Sequence, residues 1–244
     1  MYQGGKWQDC RRCSYRISRT GTAAYADEDM DMQELLNGCT VPNHSCVRIE
    51  DNGIVVYVDP YGLPSRTADA DLIAVTHSHY DHFSPEAIDQ VLKAGTEFVA
   101  PVGMEQDFAK AGLSLGGVHF ISPGESVDYR GIRIEGIPAY NTLKPFHPKR
   151  SGWLGYRFAF PGRSVYVTGD TDAKLECVRV HCDLLFIPVG GTYTFDARAA
   201  AKVANEIHPA VAVPIHYGQV VGNRADAEKF CSLLDDSIAG EILL

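Results

Sequence analysis

The residues best suited to chemistry lie in one short segment, HSHYDH (77–82). Three imidazoles and one carboxylate occur here within six positions, directly after the apolar run DLIAVT (71–76). Buried groups of this kind are costly without partners, whereas divalent cations would satisfy all four together. In an extended strand end, His77 and His79 point the same way, and the following turn directs Asp81 and His82 toward a second ion. The competing interpretation is a run of solvated loop histidines.

Two further strand ends carry residues of the same type. SVYVTGDTD (164–172) is a β-rich run that ends near Asp170, and VAVPIHYG (211–218) is an apolar run that ends at His216. Taken alone, Asp170 is typical of a turn or helix cap, and His216 of a buried histidine. Three ligand-bearing strand ends in one chain instead favour a common rim. Two ions about 3.5–4 Å apart at such a rim could share a hydroxide.

The elements that position these residues are mostly short β-rich runs separated by turns. Asp51-Asn52-Gly53 predicts a hairpin turn, and Ser84 followed by Pro85 predicts the start of a helix that runs to about Lys93. We expect strands at 46–50, 54–59, 71–77, 97–100, 118–121, 125–129, 132–137, 154–160, 163–168, 183–188 and 211–215, and further helices at 103–111, 196–207 and 223–235. Helices lie between strands in both halves. The pattern predicts an α/β fold, a four-layer αββα sandwich of two mixed β-sheets with helices on the outer faces.

Composition excludes several classes of protein. The 244 residues are 45% hydrophobic and 22% charged, which is typical of a globular domain rather than a disordered or coiled-coil chain. A net charge of −9 argues against nucleic acid as a partner. The absence of a long apolar run and of an apolar leader predicts a cytoplasmic protein without a membrane partner. The seven cysteines are expected to be reduced, and Cys10 and Cys13 are more typical of free thiols than of a zinc knuckle.

The motif HSHYDH (77–82), together with Asp170 in GDT and with His216, resembles the metallo-β-lactamase superfamily over about residues 40–244. Four further segments are most similar to a branch of metal-dependent hydrolases that includes ascorbate-6-phosphate lactonase-like proteins: NHS (43–45), DP (59–60), IPVGGTYTFD (187–196) and VPIHYG (213–218). The resemblance implies an αββα sandwich with its site at the edge between the sheets. We therefore expect an N-terminal extension over 1–35 and a hydrolase domain over 36–244.

The resemblance also implies a set of metal ligands. His77 and His79 would hold the first ion, Asp81, His82 and His216 the second, and Asp170 would bridge them. The superfamily usually has one more histidine, but the strand IRIEGIPAY (132–140) is followed by Asn141. The leading hypothesis is that His147 completes the first site or lies over the substrate. The alternative is Asn141 as a weak ligand in a site biased toward one ion.

Other polar residues near these segments are candidates for contact with substrate. Lys144, Lys149 and Arg150 either form a solvated loop or hold a substrate phosphate or carboxylate. Tyr193 and Tyr217 could contact substrate or donate to an oxyanion, or could merely pack. His44 is similar to a family position near the pocket and could support the site, or bond to backbone.

Together these features predict a metal-dependent hydrolase that acts through a metal-bound hydroxide on a small, anionic ester, lactone or phosphodiester. The predicted catalytic residues are Asp81, His147 and Tyr217, and the predicted substrate-binding residues are Lys144, Arg150, Tyr193 and His44. One or two divalent ions are expected, with zinc first and manganese or iron as alternatives. A nuclease-like phosphodiesterase and a metal-binding sensor or scaffold without turnover are the competing functions. The sequence does not indicate an oligomeric state.

Overall fold

The structure is a computed structural model that describes residues 15–17, 23–25, 32–113, 116–142 and 144–244. The chain divides into two compact units, Met1–Asp31 and Met32–Leu244. In the first unit, β1 (Tyr15–Ile17) pairs antiparallel with β2 (Ala23–Tyr25). Cys10, Cys13 and much of the predicted extension lie outside the described residues. The predictions about them stay predictions.

The second unit has two β-sheets with helices on their outer faces, which confirms the predicted α/β sandwich. Its α-helices are α1 (Met32–Leu36), α2 (Pro85–Val91), α3 (Glu105–Ala111), α4 (Lys174–Cys177), α5 (Ala197–Ile207) and α6 (Arg224–Cys231). Helices α2 and α3 pack on one sheet, and α4, α5 and α6 pack on the other. None of the helices in the described part of the chain is long and apolar enough to cross a membrane.

The first sheet contains six strands in chain order. They are β3 (Cys39–Asn43), β4 (Cys46–Asp51), β5 (Ile54–Val58), β6 (Ala70–Ala74), β7 (Leu92–Pro101) and β8 (Gly117–Ile121). β4 and β5 form the predicted hairpin, with Asn52 and Gly53 at φ of 49° and 77° between the paired residues Asp51 and Ile54. β5 to β8 are parallel, so their carboxyl ends lie along one edge.

The second sheet contains seven strands in the order β15-β14-β13-β12-β11-β10-β9. They are β9 (Ser126–Tyr129), β10 (Ile132–Pro138), β11 (Leu154–Phe160), β12 (Arg163–Val167), β13 (Leu184–Pro188), β14 (Val211–Ile215) and β15 (Ala239–Gly240). β12 to β15 are parallel to one another, whereas β9 to β12 are antiparallel neighbours. The sheet is therefore mixed, as expected.

Strand alternation separates the core into layers. In β6, Leu72 and Ala74 face the core between the sheets, whereas Ile73 and Val75 face α2 and α3. Because both faces are covered, β6 is an unbroken buried run. This double burial explains why the sequence before the histidine motif is continuously apolar.

Most predicted boundaries lie within two residues of the observed ones. Ser84 caps α2 by accepting a hydrogen bond from the Ala87 amide, as Ser84-Pro85 predicted, but α2 ends at Val91 because Leu92 is extended and begins β7. The helix predicted over 223–235 ends at Cys231. α1, β3, α4 and β15 were not predicted, and all four are five residues or shorter.

Candidate metal centre

The candidate functional residues lie where strands of both sheets end at one edge. Asp59 follows β5, His77 follows β6, Asp170 follows β12 and His216 follows β14. All four side chains are buried. The predicted common rim therefore exists, although its members are up to about 160 residues apart in the chain.

One group of potential ligands consists of His77, His79 and His147, whose ring nitrogens lie within 4.8 Å of one another. The Nε2 atom of His77 is 3.0 Å from Nδ1 of His79. His147 reaches the group from the loop after β10 with a φ of 55°, in the left-handed region. This is the first ligand set proposed from the sequence, with His147 as its third member.

A second group consists of His44, Asp81, His82 and His216, again with ligand atoms within 4.8 Å of one another. Oδ2 of Asp81 is 3.4 Å from Nε2 of His44 and 3.7 Å from Nε2 of both His82 and His216. The last three residues were predicted to hold the second ion. His44 is a further member of this group, although it was predicted to bind substrate.

Asp170 lies between the two groups. Its Oδ2 is 3.3 Å from Nε2 of His147 and 3.1 Å from Nε2 of His216, and its Oδ1 is 3.4 Å from Nε2 of His82. One carboxylate thus contacts a histidine of the first group and two of the second. This is the placement expected of a bridging ligand.

The residues behind the ligands hold the imidazole rings in place. Asp59 accepts a hydrogen bond from Nδ1 of His82 at 2.7 Å and two more from the amide and hydroxyl of Thr76, at 2.8 and 2.5 Å. The Thr76 hydroxyl also contacts Nδ1 of His77 at 2.9 Å. With Nδ1 engaged, the Nε2 atoms of His82 and His77 are directed into the cluster. Asp59 was noted only as part of a family-like dipeptide, and its position at the end of a buried strand was the available signal.

The electrostatics of the cluster suit cation binding. Burial and the neighbouring charge of His82 hold the pKa of His77 well below its usual value, and burial with His147 lowers the pKa of His79. These two rings are therefore neutral ligands at pH 7. Burial opposes ionisation of Asp170, but His216 and His82 hold its pKa well below its usual range. Burial likewise opposes protonation of His82, but Asp170 and Asp59 raise its pKa well above the usual value, so a cation would compete with a proton there.

The donor atoms fit divalent metal ions. Nε2 of His44, His82, His147 and His216 are buried without a hydrogen-bond partner, which is costly unless something satisfies them. Ligands about 2.1 Å from a tetrahedral ion are about 3.4 Å apart, and the contacts above fall between 3.0 and 3.7 Å. A mixed imidazole and carboxylate set of this spacing is suited to zinc, manganese or iron.

Asn141 is not a member of either group of potential ligands but contacts the residues beside them. Its Nδ2 donates to the carbonyl oxygen of Tyr193 at 2.6 Å and lies 3.3 Å from Nδ1 of His147. Its amide N–H donates to the His147 carbonyl at 2.8 Å. The geometry therefore favours His147 as the third donor of the first group and gives Asn141 the task of holding His147 and the 190–196 loop.

A cavity of about 210 Å³ opens beside the cluster. Its polar lining includes Asp81, Asp170 and three histidines, and its remaining lining is aromatic or apolar: Tyr80, Phe146, Tyr193 and Val220. Of the predicted substrate contacts, Tyr193 lines this cavity. Tyr80, Phe146 and Val220 were missed because their exposure depends on loop conformation. Trp153, also missed, packs its ring 4.9 Å from those of His77 and His79.

Four other predicted contacts lie elsewhere. Lys144 donates its ammonium to the carbonyl oxygens of Gly191 and Thr194, so it ties two loops together. Arg150 is exposed in a short 3-10 helix and does not line the cavity. His44 is completely buried within the second ligand group.

Tyr217 is the fourth predicted residue that does not line the cavity. His216 has a φ of 59°, which interrupts the alternation of side chains along β14. The Tyr217 side chain therefore points into the apolar layer between the sheet and helices α5 and α6. Tyr217 thus packs among apolar side chains and does not line the cavity, and its catalytic role stays a prediction.

Comparison with known proteins identifies the family. The beta-lactamase superfamily domain matches residues 40–216, which include HSHYDH, Asp170 and His216. The chain belongs to the beta-lactamase superfamily. Within this superfamily the chain lies in the branch of the UPF0173 proteins. A UPF0173 protein of Pyrococcus furiosus is 31% identical over 191 residues, which are 77% of this chain and 85% of that protein.

Two further relatives agree with this placement. A UPF0173 metal-dependent hydrolase of Methanosphaerula palustris is 27% identical over 215 residues, covering 84% of this chain and 94% of its own. The crystal structure of a candidate metal-dependent hydrolase from Parabacteroides distasonis superposes with a TM-score of 0.69 at 27% identity, covering 95% of this chain and 98% of that one. The similarity therefore extends over nearly the full length of these two relatives and, for the second, includes the fold.

Proposed function

We propose that this protein is a metal-dependent hydrolase that uses one or two divalent ions to cleave a small ester, lactone or phosphodiester. The observation that carries the proposal is the convergence of buried, unpartnered imidazole nitrogens on the Asp170 carboxylate. The membership of the chain in a branch whose relatives are named metal-dependent hydrolases supports it. We expect zinc as the ion, with manganese or iron as alternatives.

The residues of the chain divide the work between holding ions and handling substrate. His77, His79 and His147 would hold one ion, Asp81, His82 and His216 the other, and Asp170 both. Such ions lower the pKa of water from 15.7 to about 7 and polarise a carbonyl or phosphoryl oxygen. The aromatic side chains that line the cavity beside this site are placed to contact a bound substrate.

Asp81 is suited to proton transfer. It lines the cavity and is 6% exposed, so it can reach a substrate-side water without being open to bulk solvent. Burial alone would raise its pKa, but the neighbouring His44 imidazole, 3.4 Å away, and the charge of His82 lower it below the usual value. Asp81 is therefore a carboxylate at neutral pH, and its oxygen can orient the attacking water and accept its proton.

Metal content and turnover test the proposal together. Protein purified without added metal is analysed for bound elements and then assayed, with zinc or manganese restored, on esters, lactones and phosphodiesters. We expect one or two bound ions and hydrolysis that a chelator abolishes. His82→Asn should lose at least one ion, whereas Asp81→Asn should keep the fold and lose at least about 100-fold in turnover.

His119→Asn is the matched control, because His119 pairs with Glu97 on β7, away from the cluster. It should retain both metal and activity. Tight metal binding without hydrolysis of any substrate would instead support a sensor or scaffold and overturn the proposal.

A further inference from the structure

One wall of the cavity, beside the cluster of potential metal ligands, is aromatic and apolar and consists of Tyr80, Phe146 and Tyr193. Tyr80 and Phe146 are 65% and 41% exposed, and both stand at this cavity rather than on the remote surface. Phe146 meets Tyr193 edge to face, with ring centroids 4.8 Å apart and planes at 82°. Exposed large apolar side chains that gather at a pocket are typical of a ligand contact surface.

Two loops hold this wall in a defined place. Asn141 donates to the carbonyl of Tyr193, and Lys144 donates to the carbonyls of Gly191 and Thr194 on either side of it. His147, next to Phe146, contacts Asp170. The wall is therefore connected to the metal cluster by hydrogen bonds and not only by packing, which preorganises it for a ligand.

The same cavity gives an anionic substituent little to bind. Among the described residues that line it, none is Lys or Arg, while Asp81 and Asp170 face it with carboxylates. The ammonium of Lys144 is occupied by two carbonyl oxygens, and Lys149 contacts Tyr140 and Glu176. Only metal ions held by the ligand cluster would attract negative charge. That position is taken by the reacting group of the substrate, so it is not free for an anionic substituent.

The size of the cavity limits what the wall can hold. An apolar cavity of about 150 Å³ accommodates one benzene molecule, and this cavity has about 210 Å³. The cavity therefore has room for at least one ring against the wall. Burying such a group between aromatic side chains would supply most of the recognition.

We infer that the substrate carries an uncharged aryl or short alkyl group, which lies against Tyr80, Phe146 and Tyr193 while the ester or lactone carbonyl faces the metal cluster. This inference rests on the proposed function and specifies its substrate class. It replaces the anionic substrate expected from Lys144 and Arg150. Tyr80, Phe146 and Tyr193 thereby become specificity-determining residues.

Three γ-lactones that share the same lactone ring and differ in its substituent test this. The full chain, loaded with zinc or manganese, is assayed on γ-butyrolactone, γ-phenyl-γ-butyrolactone and γ-carboxy-γ-butyrolactone. We expect kcat/KM for the phenyl compound to exceed that for the carboxy compound by at least about tenfold. Phe146→Ser should reduce the phenyl-to-unsubstituted ratio by about tenfold, while the control Leu233→Ser, which removes an exposed apolar side chain away from the cavity, should leave it unchanged.

A binding measurement separates this inference from the proposed function. Trp153 lies beside the histidines, so its fluorescence reports ligand binding without turnover. Tighter binding of the phenyl lactone without hydrolysis of any lactone, ester or phosphodiester would support the recognition and overturn the hydrolase proposal. Hydrolysis or binding that favours the carboxy compound, or a ratio that Phe146→Ser leaves unchanged, would overturn the inference.

Discussion

At the scale of single residues, backbone conformation decides which side chains reach the site. His44, His147 and His216 all have φ between 50° and 59°, in the left-handed region that few residues other than glycine adopt. Each lies where a strand or loop must turn its side chain into the cluster. Strain at three ligand-like residues is typical of a functional site. It also explains why Tyr217, which adjoins His216 in the chain, packs with apolar side chains of α5 and α6.

His44 gives the sharpest prediction at this scale. Because the side chain is 0% exposed and its Nε2 lies 3.4 Å from Asp81, we expect it to act on the metal ions and not on substrate. His44→Asn keeps a residue type that tolerates left-handed φ. It should weaken metal binding by about 10- to 100-fold, measured by competition with a chromogenic chelator.

The control for His44→Asn is His208→Asn, since His208 has a φ of 59° at the end of α5 and is exposed. That variant should bind metal normally. If His44→Asn raised KM and left metal affinity unchanged, the substrate-binding role expected from the sequence would be correct.

At the scale of elements, the sequence predicted the regular parts and missed what depends on neighbours. β6, β13 and β14 are continuously buried, mostly apolar runs, and α2 has a capping serine, so local pattern was sufficient for them. α1 and β3 are short and irregular in pattern and form only against the rest of the sheet. The ligand positions followed from strand ends, whereas the aromatic wall did not, because it depends on the conformation of two loops.

Gly169 shows how closely the elements constrain the site. It precedes Asp170 with a φ of 64°, and a Cβ atom there would lie 2.8 Å from the Leu154 carbonyl oxygen. Gly169→Ala therefore adds a backbone clash to the cost of a left-handed residue, which is on the order of 1–2 kcal/mol. We expect it to be less stable than Gly162→Ala, at a glycine with φ of 95° and open space around it.

Urea denaturation and metal titration of both variants measure this difference. Gly169→Ala should also lose metal affinity, because the clash displaces Asp170, while Gly162→Ala should retain it. Equal stability and equal metal binding in the two variants would show that the β12 end has room to move and does not fix the carboxylate.

At the scale of the whole molecule, the potential metal ligands come from both sheets. HSHYDH follows β6 of the six-stranded sheet, whereas Asp170 and His216 follow β12 and β14 of the seven-stranded sheet. An ion bound by both sets holds the sheets together at this edge, in addition to the apolar core between them. Since an unfolded chain does not preserve this arrangement, metal binding should stabilise the fold of the unit as a whole.

Thermal unfolding with and without metal measures that stabilisation. An ion at 100 times its Kd contributes about 2.7 kcal/mol, and each kcal/mol changes Tm by about 2–4 °C in a chain of this size. Chelation should therefore lower Tm by roughly 5–11 °C. In an Asp170→Asn/His82→Asn variant, which lacks the carboxylate that would contact both ions and one further donor, the chelator should change Tm by less than about 2 °C. A similar drop in both proteins would mean that the chelator removes an ion from somewhere else, and no drop in either would mean that the two sheets are not linked through metal.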